Sequence, residues 1–283
     1  MAEVTVVTPA HNEAEVVGGV IASVLGQCYD DIEHVIVDDG STDETVDVVR
    51  KWCSVSKKVQ LVTTDGHAGP ASARNIGAQY AKGKYLLFVD ADDLLSPRYV
   101  DTCVTLLERQ RDISFVYTDE WYFMTRGGHV QRVLRQMHEW SPTLIRRFNI
   151  MSVTALMRRY MFLEIGGFRS MPVAEDYDFW LFVCNKGYVG IRIPEALFYH
   201  QIRTQSRWSR RSDDSLKHAD KVMREAHGDI PRSGDRRISA TREDVLRRAE
   251  LTLLAMLGST EPGELRFADG EILSMAIDHH DDD

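Results

Sequence analysis

Tyr85-Leu86-Leu87-Phe88-Val89-Asp90-Ala91-Asp92-Asp93 sets an unbroken apolar run directly against three carboxylates. An apolar run without polar alternation is what a strand buried on both faces of a mostly parallel sheet requires. The abrupt change at Asp90 marks where that strand leaves the core. Upstream, the same unit recurs. Val4-Thr5-Val6-Val7 is a β-branched run ending at Thr8-Pro9, and Val16, Val17, Val20, Ile21, Val24 and Leu25 then fall at helical spacing within 14–26. His34-Val35-Ile36-Val37 reads as a second strand. It ends in Asp38-Asp39-Gly40, after which Ser41 and Glu44 have the spacing of a capping box for a helix through Val46, Val49 and Trp52. Val59-Gln60-Leu61-Val62 is a third strand, and Gly69-Pro70 opens the next helix with proline near its first position.

This alternation predicts an α/β fold with a mostly parallel central sheet flanked by helices. Right-handed crossovers put the carboxyl ends of the strands along one edge, where open α/β sheets bind ligands. The polar clusters Pro9 to Glu13, Asp38 to Asp43 and Asp90 to Asp93 should therefore converge on one crevice. Beyond residue 110, Ile113 to Thr118, Val130 to Leu134 and Ile150 to Leu156 look like strands, and a helix is expected from about Asp176 to Lys186. The chain divides into a main domain over 1–205 and a charged, helical C-terminal extension over 206–283.

The 283 residues are 43% hydrophobic and 27% charged, a globular composition. A net charge of −9 argues against nucleic acid as a partner, since phosphate backbones select a surplus of Lys and Arg. The apolar run at 85–89 is far shorter than the roughly 20 residues of a membrane-spanning helix. No secretory leader pattern follows Met1, so a cytoplasmic location is expected. Cys28, Cys53, Cys103 and Cys184 are too dispersed for a zinc cage and are expected as buried or half-buried thiols. Basic residues outnumber acidic ones over 201–250, and the reverse holds beyond 251. The basic stretch with Arg207, Arg210 and Arg211 reads as a solvated helix face, a peripheral contact with the inner face of a membrane, or a homo-oligomer surface.

Asp90, Asp92 and Asp93 repel one another unless a cation or a helix start relieves them. Mg²⁺ or Mn²⁺ fits, because these ions take one or two carboxylates and complete their shell with water and phosphate; an N-cap cluster for the helix near Pro97 is the plainer alternative. Asp38-Asp39-Gly40-Ser41 carries ordinary turn chemistry beside its reading as a site. Glu175-Asp176-Tyr177-Asp178 opens an apolar helix, where acidic residues either serve the helix dipole or supply a general base.

Six segments together resemble the ordered motifs of family 2 glycosyltransferases of the GT-A fold. They are Thr8-Pro9-Ala10-His11-Asn12-Glu13, Val37-Asp38-Asp39-Gly40-Ser41-Thr42-Asp43, Gly69-Pro70-Ala71-Ser72-Ala73-Arg74-Asn75-Ile76-Gly77, Phe88-Val89-Asp90-Ala91-Asp92-Asp93, Gly166-Gly167-Phe168 and Glu175-Asp176-Tyr177-Asp178-Phe179-Trp180. The resemblance implies an inverting transferase that takes a sugar from a nucleotide diphosphate, UDP above all. It places Pro9, Ala10, Asn12 and Glu13 along the nucleoside pocket and Asp39 on the nucleobase. Arg74 falls near the donor, and Asp90 and Ala91 lie at the ribose and metal. Asp92 is implied as the ligand of Mn²⁺ or Mg²⁺ in a DxD motif, His200 as a further ligand, and Asp176 as the catalytic base. The late segment Tyr199-His200-Gln201-Ile202-Arg203 matches the family only in part.

A base at Asp176 points to a hydroxyl or amine acceptor, whether glycan, lipid-linked saccharide or small molecule, because a phosphate acceptor is already ionised. Two rivals remain open on sequence: a sugar-phosphate nucleotidyltransferase, against which the first strand lacks a following Gly-rich basic loop, and a non-catalytic sugar-nucleotide binding module.

Overall fold

The computed structural model describes residues 2–126, 129–171, 173–203 and 212–227. The expected alternation forms the first half. β1 (Val4–Ala10), α1 (Val17–Leu25), β2 (Ile32–Asp38), α2 (Thr45–Val55), β3 (Val59–Thr63), α3 (Pro70–Tyr80) and β4 (Tyr85–Phe88) give four parallel strands in the order β3-β2-β1-β4. Pro9 is tolerated inside β1 for a reason visible in the ladder. Val7 O accepts from Val89 N, so odd-numbered residues of β1 direct their backbone toward β4, and the β1–β4 pairing ends at Val7. The missing N–H of Pro9 therefore costs no sheet bond.

The second half is mixed. β5 (Leu94–Leu95), α4 (Tyr99–Arg109), β6 (Phe115–Arg126), β7 (His129–Arg135), α5 (Pro142–Ile145), β8 (Leu156–Arg158), α6 (Arg159–Ile165), α7 (Glu175–Asn185), β9 (Gly190–Gln201) and α8 (Asp213–His227) follow. β8 runs antiparallel between β4 and β6, β9 pairs parallel with β6, and β5 and β7 are antiparallel additions. Only Leu156 of the expected strand at 150–156 pairs. Ile150, Met151, Val153 and Ala155 are buried as irregular chain beneath α7, where Ser152 O accepts from Trp180 Nε1. Their apolar character serves core filling rather than sheet pairing.

Each face of the sheet carries its own core. Val4, Val6 and Ile36 pack with α1, α2 and α4; Val7, Val35 and Val37 pack with α3 and with Phe162, Phe179, Trp180, Ala219 and Met223 of α6, α7 and α8. α3 lies so close to the sheet that a Cβ on Gly77 would stand 2.3 Å from Val7 Cγ1, so the backbone approach requires glycine.

Three local expectations change. The capping box does not form: Glu44 makes no side-chain cap bond, Asp43 Oδ1 accepts from Thr45 N, and Ser41 Oγ is used by Asn12 N. The helix begins later than the pattern suggested because the short Asp43 carboxylate reaches its first turn directly. Cys28 is exposed rather than half-buried, while Cys103 and Cys184 are buried and Cys53 is intermediate. Of the C-terminal extension, only 212–227 is described. Arg207, Arg210, Arg211 and everything after His227 lie outside the described residues. Among the described residues no helix is long and apolar enough to cross a membrane.

His34 supplies a pH-dependent term. It is fully buried in β2, with Nε2 2.9 Å from Thr8 Oγ1, and burial pushes its imidazole down from 6.5 to about 3. As pH falls below 6.5, the unfolded chain takes up a proton that the folded chain refuses, and stability drains by at most about 1.4 kcal/mol per pH unit. His34→Gln should lose less stability than the wild type between pH 6.5 and 5, by about 1.5 kcal/mol in denaturant melts. Parallel pH profiles for the two proteins would contradict this.

Candidate functional site

The carboxyl ends of β1, β2 and β4 lie side by side, with Ala10 in register with Asp38 and Asp39 N donating to Ala10 O. Their loops are stitched together. Asn12, held at φ 56°, accepts through Oδ1 from Thr42 N at 2.7 Å and Asp43 N at 3.3 Å, and its own N–H reaches Ser41 Oγ at 2.9 Å. Asn tolerates this left-handed conformation better than most side chains. Asn12 therefore joins two walls of the crevice. Pro9 and Ala10 sit at the end of β1, Ala10 buried and Pro9 half-buried.

Asp39 is buried, and its carboxylate accepts from Ala68 N at 3.0 Å, Gly69 N at 2.7 Å and His67 Nδ1 at 2.9 Å. It organises the loop entering α3, with Thr64 Oγ1 a fourth donor 3.4 Å from Oδ1. Gly40 makes the turn possible. Its φ is 75°, and an added Cβ would stand 3.0 Å from the Gly66 carbonyl carbon, so a side chain there would be both strained and crowded.

The three carboxylates after β4 have separate employments. Asp90 Oδ1 accepts from Arg74 Nη2 at 2.5 Å. Asp93 is buried, its Oδ1 bonded to Gln201 N at 2.9 Å and its Oδ2 3.3 Å from His200 Nδ1. Asp92 has the loosest of these contacts, 3.4 Å from Arg203 Nη1. Burial, and then the charges of Asp93 and Asp90, push Asp92 up to about 7. Burial opposes charge on His200, yet Asp93, Glu120 and Asp92 raise it to about 9. The loop thus holds negative charge that a cation would relieve. Ala91 is buried between them.

Among the described residues no group of three His, Cys, Asp or Glu side chains is gathered tightly enough to cage a metal alone. The donor set still fits Mn²⁺ or Mg²⁺, which bind through few protein oxygens and draw the rest from water and substrate phosphates. Asp92 would supply the carboxylate oxygen. His200, with Nδ1 on Asp93, is oriented as a ligating histidine commonly is, by a carboxylate on its other nitrogen.

Arg74 is the junction. It is 4% exposed, and while Nη2 holds Asp90, Nη1 donates to Glu175 Oε1 at 3.0 Å. Glu175 begins α7, so one guanidinium ties the Asp90–Asp93 loop to the helix bearing Asp176. Asp176 is 8% exposed, and its Oδ2 accepts from Asn149 Nδ2 at 3.2 Å. The residue before this turn, Ala174, is held at φ 64°, a left-handed conformation that costs an alanine about 1–2 kcal/mol. Such strain tends to collect where function dictates geometry.

Four further residues enter the site. Glu175 fixes Arg74, Asp93 orients His200, His67 bonds Asp39, and Arg203 donates to Glu13 Oε2 at 2.5 Å while facing Asp92. Glu13, raised by burial against the lowering influence of Arg203, is thereby drawn to the same end of the crevice. Asp93, Glu175 and Arg203 lie within segments the sequence already marks, whereas His67 stands outside them.

The family described as Glycosyl transferase family 2 matches residues 5–166. An uncharacterized glycosyltransferase of Haemophilus influenzae is 26% identical over 234 residues, 78% of this chain and 72% of the relative. Among solved structures, Staphylococcus aureus TarS 1–349 in complex with UDP-GlcNAc superposes with a TM-score of 0.67 at 19% identity, covering 88% of this chain and 72% of TarS 1–349. The mannosyltransferase PcManGT from Pyrobaculum calidifontis, in complex with GDP-Man and Mn²⁺, gives 0.63 at 20% identity over 98% and 80% of the two chains. At these identities the two structures show a shared fold.

Proposed function

The chain belongs to glycosyl transferase family 2, with a GT-A fold, and we propose that it moves a sugar with inversion from a UDP-sugar to a hydroxyl or amine acceptor. The observation that carries the proposal is Arg74, which holds Asp90 of the donor loop and Glu175 of α7 in one buried contact. Two functions that must act on the same anomeric carbon are thereby joined. Asp39 and the loop it organises receive the nucleoside, with Pro9, Ala10 and Glu13 lining the pocket that Asn12 stitches. Asp92 and His200 would hold the divalent ion, which when bound would neutralise charge growing on the departing diphosphate. Asp176 accepts the proton of the acceptor as its oxygen or nitrogen attacks the sugar carbon, and the Asn149 amide keeps the carboxylate aimed.

Membership of the family goes against the nucleotidyltransferase reading. TarS, with UDP-GlcNAc, and PcManGT, with GDP-Man and Mn²⁺, support a nucleotide-sugar donor and differ in the base. Thermal unfolding with UDP, GDP, CDP and dTDP tests the choice. UDP with Mn²⁺ should raise the midpoint most, since a ligand at 100 times its Kd adds about 2.7 kcal/mol to the native state. A larger shift with GDP would reassign the base, and no shift with any diphosphate would remove the donor site. Transfer to a polyprenyl phosphate with none to hydroxyl-bearing acceptors would overturn the acceptor class.

A further inference from the structure

α8 ends against α7. His227 is its last described residue, and its side chain is fully buried. Nε2 lies 2.9 Å from Asp178 Oδ1, and Nδ1 lies 3.0 Å from Asn185 Nδ2. The hydrogen positions follow from the partners. Arg146 Nη2 donates to Asn185 Oδ1 at 2.6 Å, which turns the Asn185 amide nitrogen toward the imidazole. Nδ1 of His227 then accepts, and Nε2 carries the hydrogen that a carboxylate demands. The Phe182 ring sits 4.3 Å from the imidazole centroid, between the two bonds.

Asp178, Phe182 and Asn185 are spaced four and three residues apart, so they form one stripe over two turns of α7. His227 fastens that whole stripe. Asp178 is gripped a second time by Arg169, through Nε at 2.8 Å and through Nη2. Ala219 and Met223 of α8 enter the same core as Phe179 and Trp180. α7 is therefore held by Arg74 at Glu175 and by α8 at Asp178, on either side of Asp176. The family match stops at residue 166, before both helices.

We propose that His227 is a positioning residue for transfer: by bonding Asp178 and Asn185 it fixes the rotation and depth of α7 and so the aim of Asp176. This rests on the reading of Asp176 as the base. A displacement of about 1 Å in a positioned group costs on the order of 10²-fold in rate, so a hydrogen bond two residues from the base has leverage on turnover. Among the described residues the hydrogen bonds of His227 run to Asp178 and Asn185 and not to the loops after β1, β2 and β4, so donor affinity should be insensitive to it.

The test uses the full chain. His227→Leu should lower kcat on the order of 10-fold at a temperature where it is folded, with Kd for UDP within about twofold of wild type. His227→Gln keeps a donor for Asp178 and should recover most of the rate. Combined with Asp176→Asn, His227→Leu should cost little more, because positioning acts only through the base. Wild-type kcat in His227→Leu while Asp176→Asn is inactive overturns the positioning role alone. An equal fold-loss with and without the Asp176 carboxylate also overturns it. Full activity of Asp176→Asn retracts the base reading instead.

Discussion

Asp176→Asn should lower kcat by about 10² to 10⁴ and leave the KM for the donor nearly unchanged. The replacement keeps the size of the side chain and an oxygen for Asn149 Nδ2, so the first turn of α7 has no reason to rearrange. What disappears is the capacity to take a proton from the acceptor. Arg74 still joins Asp90 to Glu175, and Asp39 still receives the Ala68 and Gly69 amides, so the donor meets the same pocket. Initial rates at saturating donor measure the effect. A kcat within threefold of wild type would move the base elsewhere.

Asp92→Asn should be at least as damaging, through a different parameter. Asp93 is committed to His200 and the Gln201 amide, and Asp90 to Arg74, so neither carboxylate can take over without breaking a buried contact. Metal neutralisation of a leaving phosphate is worth several kcal/mol, which corresponds to about 10³ or more in kcat/KM. The Mn²⁺ concentration for half-maximal rate should rise as well. Full turnover with an unchanged metal titration would contradict the assignment of Asp92.

The parallel half of the sheet was legible because its information is local. Strands one to four are short apolar runs broken by Pro, Gly and Asp, and each ends at its polar cluster. Ile150 to Ala155 misled because a buried irregular segment and a buried strand draw on the same side chains; only partners distinguish them. The same limit governs the site. Sequence groups Asp90, Asp92 and Asp93 but does not separate them, since the partners that do so are Arg74, His200 and Arg203, up to 111 residues away. Asp43 displacing the Ser41–Glu44 box is a smaller case: the geometry of the turn brings Asp43 Oδ1 to Thr45 N.

In the proposed function, the charge of the Asp90–Asp93 loop, its link through Arg74 to α7 and the loosely held Asp92 would serve one event, departure of a nucleoside diphosphate from a sugar. Incubating the protein with UDP-sugars and Mn²⁺ and following phosphorus by NMR observes that event directly. Free UDP should accumulate, at a rate that falls when Mn²⁺ is chelated and that Asp92→Asn abolishes. Release of pyrophosphate, or intact donor with every nucleotide offered, would contradict it.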